Sequence, residues 1–260
     1  MEEIASVIKN KFLPESRRVL EIGCGSCSLL KELSNTYPDI YFCGIDPYIS
    51  SLEEKNLCLR PEYAENIDAI PGWFDLIFSI HSFHHFSEPT TFLRKAGLKL
   101  SSKGQLLIFD WRKGARTGIP ENYFSLEEMK GFLSGAGLKI EEDTTQGDNL
   151  LIVASRESFM VAVATDDGIN VTTHMFGRAE YFYVYRIQDR KIKLQEKRKN
   201  IYKDSFQHLK TFDVYSLVED CSTIITGKIG KKGEKRLTDI GVDVIKYAGT
   251  IEDALNVIRA

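Results

Sequence analysis

Glu21-Ile22-Gly23-Cys24-Gly25-Ser26-Cys27 sets two residues without a Cβ directly behind an apolar run that ends in an acid. Such a turn bends the main chain sharply and lets it lie against a ligand. The helix expected next would begin with unpaired N–H groups. A dinucleotide or another nucleoside-containing cofactor suits this loop. Further polar groups end other apolar runs: Asp46 after residues 40–45, His81 with His84 and His85 after 74–80, and Asp110 after 105–109. Cys24-x-x-Cys27 also admits a metal or redox reading, but no second pair of ligands stands near it in sequence. Far downstream, His174 and Cys221 make a thin candidate metal site of one imidazole and one thiol, and both are equally readable as core residues. Gly227-x-x-Gly230-x-x-Gly233, with Lys228, Lys231 and Lys232, reads as a seat for an anion at a helix start or as a solvated basic turn.

The elements that must position these groups alternate. A short amphipathic helix over 2–13 ends at Pro14. Strands are expected at 17–22, 40–45, 57–60, 74–80 and 105–110, and helices at about 26–35, 49–56 and 90–100. Residues 101–104 read as a turn. Ser125-x-x-Glu128 is a capping-box signature for a helix over 125–136, and 139–142 with 149–155 reads as a closing antiparallel pair. Strands alternating with helices imply an α/β fold, a doubly wound Rossmann-like sheet with ligands at the C-terminal strand ends. Gly23, Asp46, His81 and Asp110 all fall there. This first half carries no long insertion to cover a substrate.

The pattern changes near 155–158. A strand at 159–165, a hairpin of 181–187 with 191–197 around Asp189-Arg190, and a helix over 206–219 come first. A buried strand at 222–226, a helix after Gly233, a strand at 242–247 and a helix at 251–258 follow. They predict a second, small α/β domain, giving domains 1–156 and 157–260.

Composition narrows the function classes. At 260 residues, 43% hydrophobic and 27% charged, the chain reads as ordinary globular protein. Residues 1–156 carry 17 basic and 22 acidic side chains, and 157–260 carry 17 and 15, so neither half is a polyanion binder and nucleic acid is not an expected partner. An acidic N-terminus and the lack of any long apolar run predict neither a leader nor a membrane span. Five cysteines, an odd number, read as reduced thiols and a cytoplasmic location.

Taken together, Glu-x-Gly-x-Gly, Gly44-Ile45-Asp46, Phe74-Asp75-Leu76-Ile77 leading to Phe83-His84-His85-Phe86, Leu98–Asp110 and Phe124-Ser125-Leu126-Glu127-Glu128 resemble the class I S-adenosylmethionine-dependent methyltransferases over about residues 15–156. The nearest look is to the small-molecule branch that includes quinone-biosynthesis enzymes. A nicotinamide fingerprint would want glycine at Ser28. The resemblance implies S-adenosyl-L-methionine as cofactor and a small-molecule or cofactor-type acceptor. It places Glu21, Gly23, Cys24, Gly25, Asp46, Glu62 and Ser79 at the cofactor. Glu21 would orient the loop, and Asp46 would accept from both ribose hydroxyls. The acid for adenine aligns to Glu62, or, in another alignment, its place is taken by Tyr63. His81, His84, His85 and Asp110 would lie where the methyl group is transferred, His81 as base or cofactor contact and Asp110 to orient substrate.

In the second half, Val161–Asp167, Val171–Tyr185 with His174-Met175-Phe176-Gly177-Arg178-Ala179, Asp220-Cys221, Thr226–Gly230 and Gly241–Tyr247 resemble the dinitrogenase iron–molybdenum cofactor biosynthesis (NifX/NafY-like) family. That implies a ribonuclease-H-like fold, an iron–sulfur or other metallocluster or its precursor as ligand, and metallocofactor assembly partners. The family's histidine abuts Phe-Gly, whereas Met175 intervenes here. The function expected is methyl transfer joined to metallocofactor holding. The alternative is a non-catalytic S-adenosylmethionine sensor or a metallocofactor carrier.

Overall fold

The computed structural model describes residues 2–118, 121–188, 191–204 and 211–259. It divides into two compact units, Met1–Arg156 and Glu157–Ala260. In the first, β1 (Arg18–Ile22), β2 (Tyr41–Ile45), β3 (Leu52–Glu53), β4 (Leu57–Arg60), β5 (Phe74–Ile80), β6 (Leu100–Trp111), β7 (Leu138–Gln146) and β8 (Asn149–Arg156) form one sheet in the order β3-β4-β2-β1-β5-β6-β8-β7. β4, β2, β1, β5 and β6 run parallel, while β8 and β7 close the sheet antiparallel. Every residue of β1 is buried, as a central parallel strand covered on both faces must be. The chain leaves β1 toward β2 and β4, then returns to place β5 on β1's other side. That reversal opens a crevice beyond the carboxyl ends of β1 and β5, the general ligand position of open α/β sheets.

Helices α1 (Glu2–Val7), α2 (Ser28–Thr36), α3 (Pro89–Lys99) and α4 (Leu126–Gly135) flank this sheet. The capping box at α4 forms: Ser125 Oγ accepts from the Glu128 N–H, and Glu128 returns a carboxylate to the Ser125 N–H. Three expectations change. The first helix does not stay α; Ile8–Phe12 widens into a π-helix and Leu13–Glu15 tightens into a single 3-10 turn. Ile4, Ile8 and Phe12 are all buried, and an α-helix would swing each fourth side chain round by about 40°. The wider turn holds Ile8 and Phe12 to the core. Residues 49–56 are not a helix. Leu52 and Glu53 instead pair with Leu59 and Cys58 at the sheet edge, and Glu53 meets Arg60. Nor is 101–104 a turn, because β6 runs through it. A Cβ on Gly104 would sit 2.6 Å from the Phe74 carbonyl oxygen, so glycine is what lets the strands close there.

The second unit holds β9 (Ser158–Thr165), β10 (Tyr181–Gln188), β11 (Lys191–Lys199), β12 (Thr223–Thr226) and β13 (Asp243–Lys246), ordered β11-β10-β9-β12-β13. β10 is antiparallel to both neighbours, and β12 and β13 run parallel to β9. This is a second, smaller α/β sheet, as expected. Its helices are α5 (Thr211–Tyr215), α6 (Lys231–Asp239) and α7 (Ile251–Arg259). Ile251, Ala254 and Leu255 of α7 lie three and four apart and pack on Val161, Val163 and Ile225. The expected turn at Asp189-Arg190 and the first part of the 206–219 helix fall outside the described residues.

Candidate active site

The first cleft is built from the turn after β1. Gly23 and Cys24 both donate backbone N–H groups to the Ile45 carbonyl, at 2.8 and 3.2 Å, which stitches the loop to the end of β2. Gly23 has φ +70°, and a Cβ there would lie 2.5 Å from Ser82 Cβ. Ser82 Oγ in turn donates to the Gly23 carbonyl at 2.9 Å. Gly25 has φ +50° and open space where its Cβ would stand. Asp46 Oδ2 accepts from the Gly25 N–H at 3.0 Å and Oδ1 from the Tyr48 N–H at 2.9 Å. The resulting cleft, about 670 Å³, is lined by Gly23, Gly25, Asp46, Tyr48, Glu62, Tyr63, Glu65, His81, Ser82 and His85 among others, and no Lys or Arg is among its described lining.

Behind the loop, Glu21 and Ser79 are buried on β1 and β5, and Glu21 Oε2 and Ser79 Oγ have no hydrogen-bond partner among the described residues. Burial, with the nearby Asp46 charge, pushes the Glu21 carboxyl up to about 8. Cys24 and Cys27 are buried with their Sγ atoms 3.3 Å apart, and neither is in a disulfide. Burial raises the Cys24 thiol well above its ordinary value, the opposite of what a nucleophile or metal ligand needs.

The histidines after β5 fall into different environments. His81 adopts φ +48°, a conformation uncommon outside glycine. Its ring stacks on Trp111 at 4.2 Å, and Nε2 lies 3.1 Å from Asn149 Oδ1. His84 is buried. Its backbone N–H donates to Asp110 Oδ2 at 2.9 Å, its ring Nδ1 lies 2.7 Å from Asp110 Oδ1, and its Nε2 lies 3.0 Å from Glu121 Oε2. Burial lowers its pKa, but the Asp110 hydrogen bond and the two carboxylates outweigh this and raise it above 6.5. His85 is exposed, with its ring 4.0 Å from that of His84. It borders both the first cleft and a second of about 700 Å³ lined by His84, Phe86, Lys113, Glu121, Tyr123, Phe124 and Phe132.

In the second unit, Asp166 follows β9. Its Oδ2 accepts from Thr172 Oγ1 and lies 3.2 Å from His174 Nδ1, while Oδ1 accepts from the Glu180 N–H at 3.0 Å. Arg178, Glu180, Lys203 and Asp204 complete a cleft of about 310 Å³. Asp167 is used up within its own turn, accepting from the Ile169 and Asn170 N–H groups, which hold its carboxyl down to about 2. A Cβ on Gly227 would lie 2.2 Å from the Thr172 carbonyl oxygen. Glycine there admits the close crossing in which Phe176 N–H donates to Lys228 O at 2.7 Å. Cys221 is fully buried, its thiol raised by burial, and is not among the residues lining the His174 cleft.

A family model described as "Methyltransferase domain" matches residues 2–143. The chain belongs to this methyltransferase-domain family. A second model, "Dinitrogenase iron-molybdenum cofactor", matches residues 157–260. A curated relative, the tRNA U34 carboxymethyltransferase of Trichodesmium erythraeum (strain IMS101), is 26% identical over 104 residues, covering 36% of this chain and 32% of the relative. The chain therefore spans about a third of that relative's length. Among solved structures it is similar to the mitomycin 7-O-methyltransferase MmcR, with 15% identity, a TM-score of 0.49 and coverage of 60% of this chain and 53% of the other. It is also similar to a SAM-dependent methyltransferase from Aquifex aeolicus, with 22% identity, a TM-score of 0.48 and coverage of 58% and 88%.

Within the methyltransferase domain, Gly23, Gly25, Asp46, Glu62, His81 and His85 are brought to one cleft. Glu21, Cys24 and Ser79 stand behind it, buried. Both Glu62 and Tyr63 reach the cleft, so the two alignments converge on one place. His84 and Asp110 form a buried pair that borders the second cleft through His84. Nothing in the sequence marks Glu121 and Tyr123 as site residues. They sit in the polar connection after β6, where neither periodicity nor spacing marks a partner for a histidine 37 residues earlier. That connection also walls the second cleft. No described helix is long and apolar enough to cross a membrane.

Proposed function

We propose that residues 1–156 bind S-adenosylmethionine in the Gly23–Asp46 cleft and transfer its methyl group to a small-molecule acceptor. The sign of the cleft's charge carries this reading. Asp46, Glu62 and Glu65 line it with no Lys or Arg among the described lining. A dinucleotide pyrophosphate would find no Lys or Arg side chain in that lining to offset these carboxylates, whereas S-adenosylmethionine brings a sulfonium and an ammonium against a single carboxylate of its own. At about 670 Å³ the cleft is within the range of small-molecule sites, about 300–1,000 Å³.

The residues present fit the group. Each Asp46 oxygen holds one backbone N–H, and a carboxylate has about four lone-pair positions, so two remain for a vicinal diol. The open space over Gly25 is the cradle that a Cβ would fill. Glu62 accepts from the adenine amino group as the stronger, charge-assisted acceptor. Methyl transfer is an in-line displacement in which the acceptor's lone pair forms the new bond and the carbon–sulfur pair leaves onto sulfur. The chain therefore supplies alignment and exclusion of water.

His81 serves acceptors that carry a proton. Its Nε2–H is donated to Asn149 Oδ1, which leaves Nδ1 with a lone pair to take that proton. His84 and Asp110 are positioning residues, holding the loop after β5 against the end of β6. Incubation with methyl-labelled S-adenosylmethionine and a small-molecule extract, read by mass spectrometry, tests the reading. Label should enter an acceptor, and His81→Gln should shift the pH–rate profile. Binding without any transfer would make the unit a sensor.

The second unit, 157–260, is proposed to hold a metal–sulfur cofactor, its precursor or another anionic ligand as cargo. The support is the exposed His174 imidazole on a cleft of mixed charge, in which Arg178 and Lys203 stand among Asp166, Glu180 and Asp204. Cys221, buried away from that cleft, takes no part. Anaerobic reconstitution with iron and sulfide should give visible absorbance that weakens in His174→Ala, and a colourless protein would refute a cluster.

A further inference from the structure

We propose that His84, His85 and Glu121 form a binding site for one divalent cation of the zinc type at the wall between the two clefts of the first unit. One donor atom from each residue lies within 4.8 Å of the others, the one such group of three among the described residues. The orientation of His84 carries the argument. Its Nδ1–H goes to Asp110 Oδ1 at 2.7 Å, and the same carboxylate holds the residue's backbone N–H at 2.9 Å. The ring is thereby fixed with Nε2 toward Glu121 Oε2 at 3.0 Å. A lone pair facing a carboxylate oxygen at that distance needs a positive centre between them, either a proton or a cation.

A proton would need only these two partners. The third donor distinguishes the cases, because among the described residues the His85 imidazole makes no hydrogen bond, although its ring stands 4.0 Å from that of His84. Two imidazoles and one carboxylate, with a carboxylate behind one imidazole, are a donor set for Zn²⁺ with an open fourth position. His85 and Glu121 are exposed, so both side chains can turn to close on an ion held at His84 Nε2. The open position faces the second cleft of about 700 Å³, where a hydroxyl, carboxylate or thiol of a bound molecule would complete the shell. His85 also borders the Gly23–Asp46 cleft, His84 and Glu121 are not among that cleft's lining, and the site shares no residue with the His174 cleft.

Titration of the metal-stripped full chain with Co²⁺, followed by visible ligand-field absorbance and checked by competition with Zn²⁺, tests it. The expected result is one ion bound at this site, with no thiolate-to-cobalt band in the near ultraviolet. Both His85→Ala and Glu121→Gln should weaken it at least about tenfold while keeping the wild-type circular dichroism. His174→Ala should leave the absorbance unchanged. No binding, unchanged affinity in either variant, a thiolate band, or loss of the signal in His174→Ala would each overturn the proposal.

Discussion

The two clefts that bear on function are built in opposite ways. At Gly23–Asp46 the walls are fixed before any ligand arrives: loop glycines are tied to β2, Ser82 abuts Gly23, and Asp46 is held by two backbone N–H groups. At Asp166–His174 the imidazole is held by a single side-chain contact, Nδ1 to Asp166 Oδ2 at 3.2 Å, and is 65% exposed. Preorganisation of the first kind suits chemistry that depends on alignment, since the ordering cost is met on folding. An open imidazole suits a ligand that must be taken up and handed on. What differs is less the residue types than how many main-chain bonds hold each one.

Breaking the fixed cleft should therefore cost far more than altering the open one. Gly23→Ala forces a side chain into positive φ and within 2.5 Å of Ser82 Cβ. The expected loss is about 2–5 kcal/mol, read from denaturant midpoints, together with loss of cofactor binding. A variant as stable and as tight-binding as the parent would show that the loop is not constrained.

Glu21 comes next. Its carboxyl titrates near 8 when folded against 4.5 ordinarily, so the folded state keeps a proton that the unfolded chain has lost. Stability is fully present below the lower value and falls as pH rises through the upper one. Glu21→Gln should abolish that fall, worth about 4 kcal/mol between about pH 5 and about pH 9. Parallel pH–stability curves for the two proteins would contradict the burial argument. The smallest effect belongs to the open cleft: His174→Ala should change stability by no more than about 0.5 kcal/mol, while altering whatever colour reconstitution produces.

Legibility in the sequence followed the range of the interaction. β1 and its Gly turn, Asp46 and the capping box at Ser125 were readable because each depends on neighbours a few residues apart. The edge pairing of Leu52 with Leu59 was not, since residues 49–56 carry an adequate helical pattern that only the sheet overrides. The π-helix at Ile8–Phe12 was visible only in hindsight, in the four-residue spacing of buried side chains. His84 was readable as a polar residue just past the end of β5, but its two carboxylates come from Asp110 and Glu121, on different elements. Cys221, a thin metal candidate and equally readable as core, is fully buried next to β12, away from His174's cleft.

Calorimetric titration of the full chain with S-adenosylmethionine bears most directly on the central claim. One-to-one binding is expected, weakened about a hundredfold in Asp46→Asn, the worth of two charge-assisted hydrogen bonds to the ribose, and untouched in His174→Ala. No heat of binding, or equal affinity in Asp46→Asn, would contradict it.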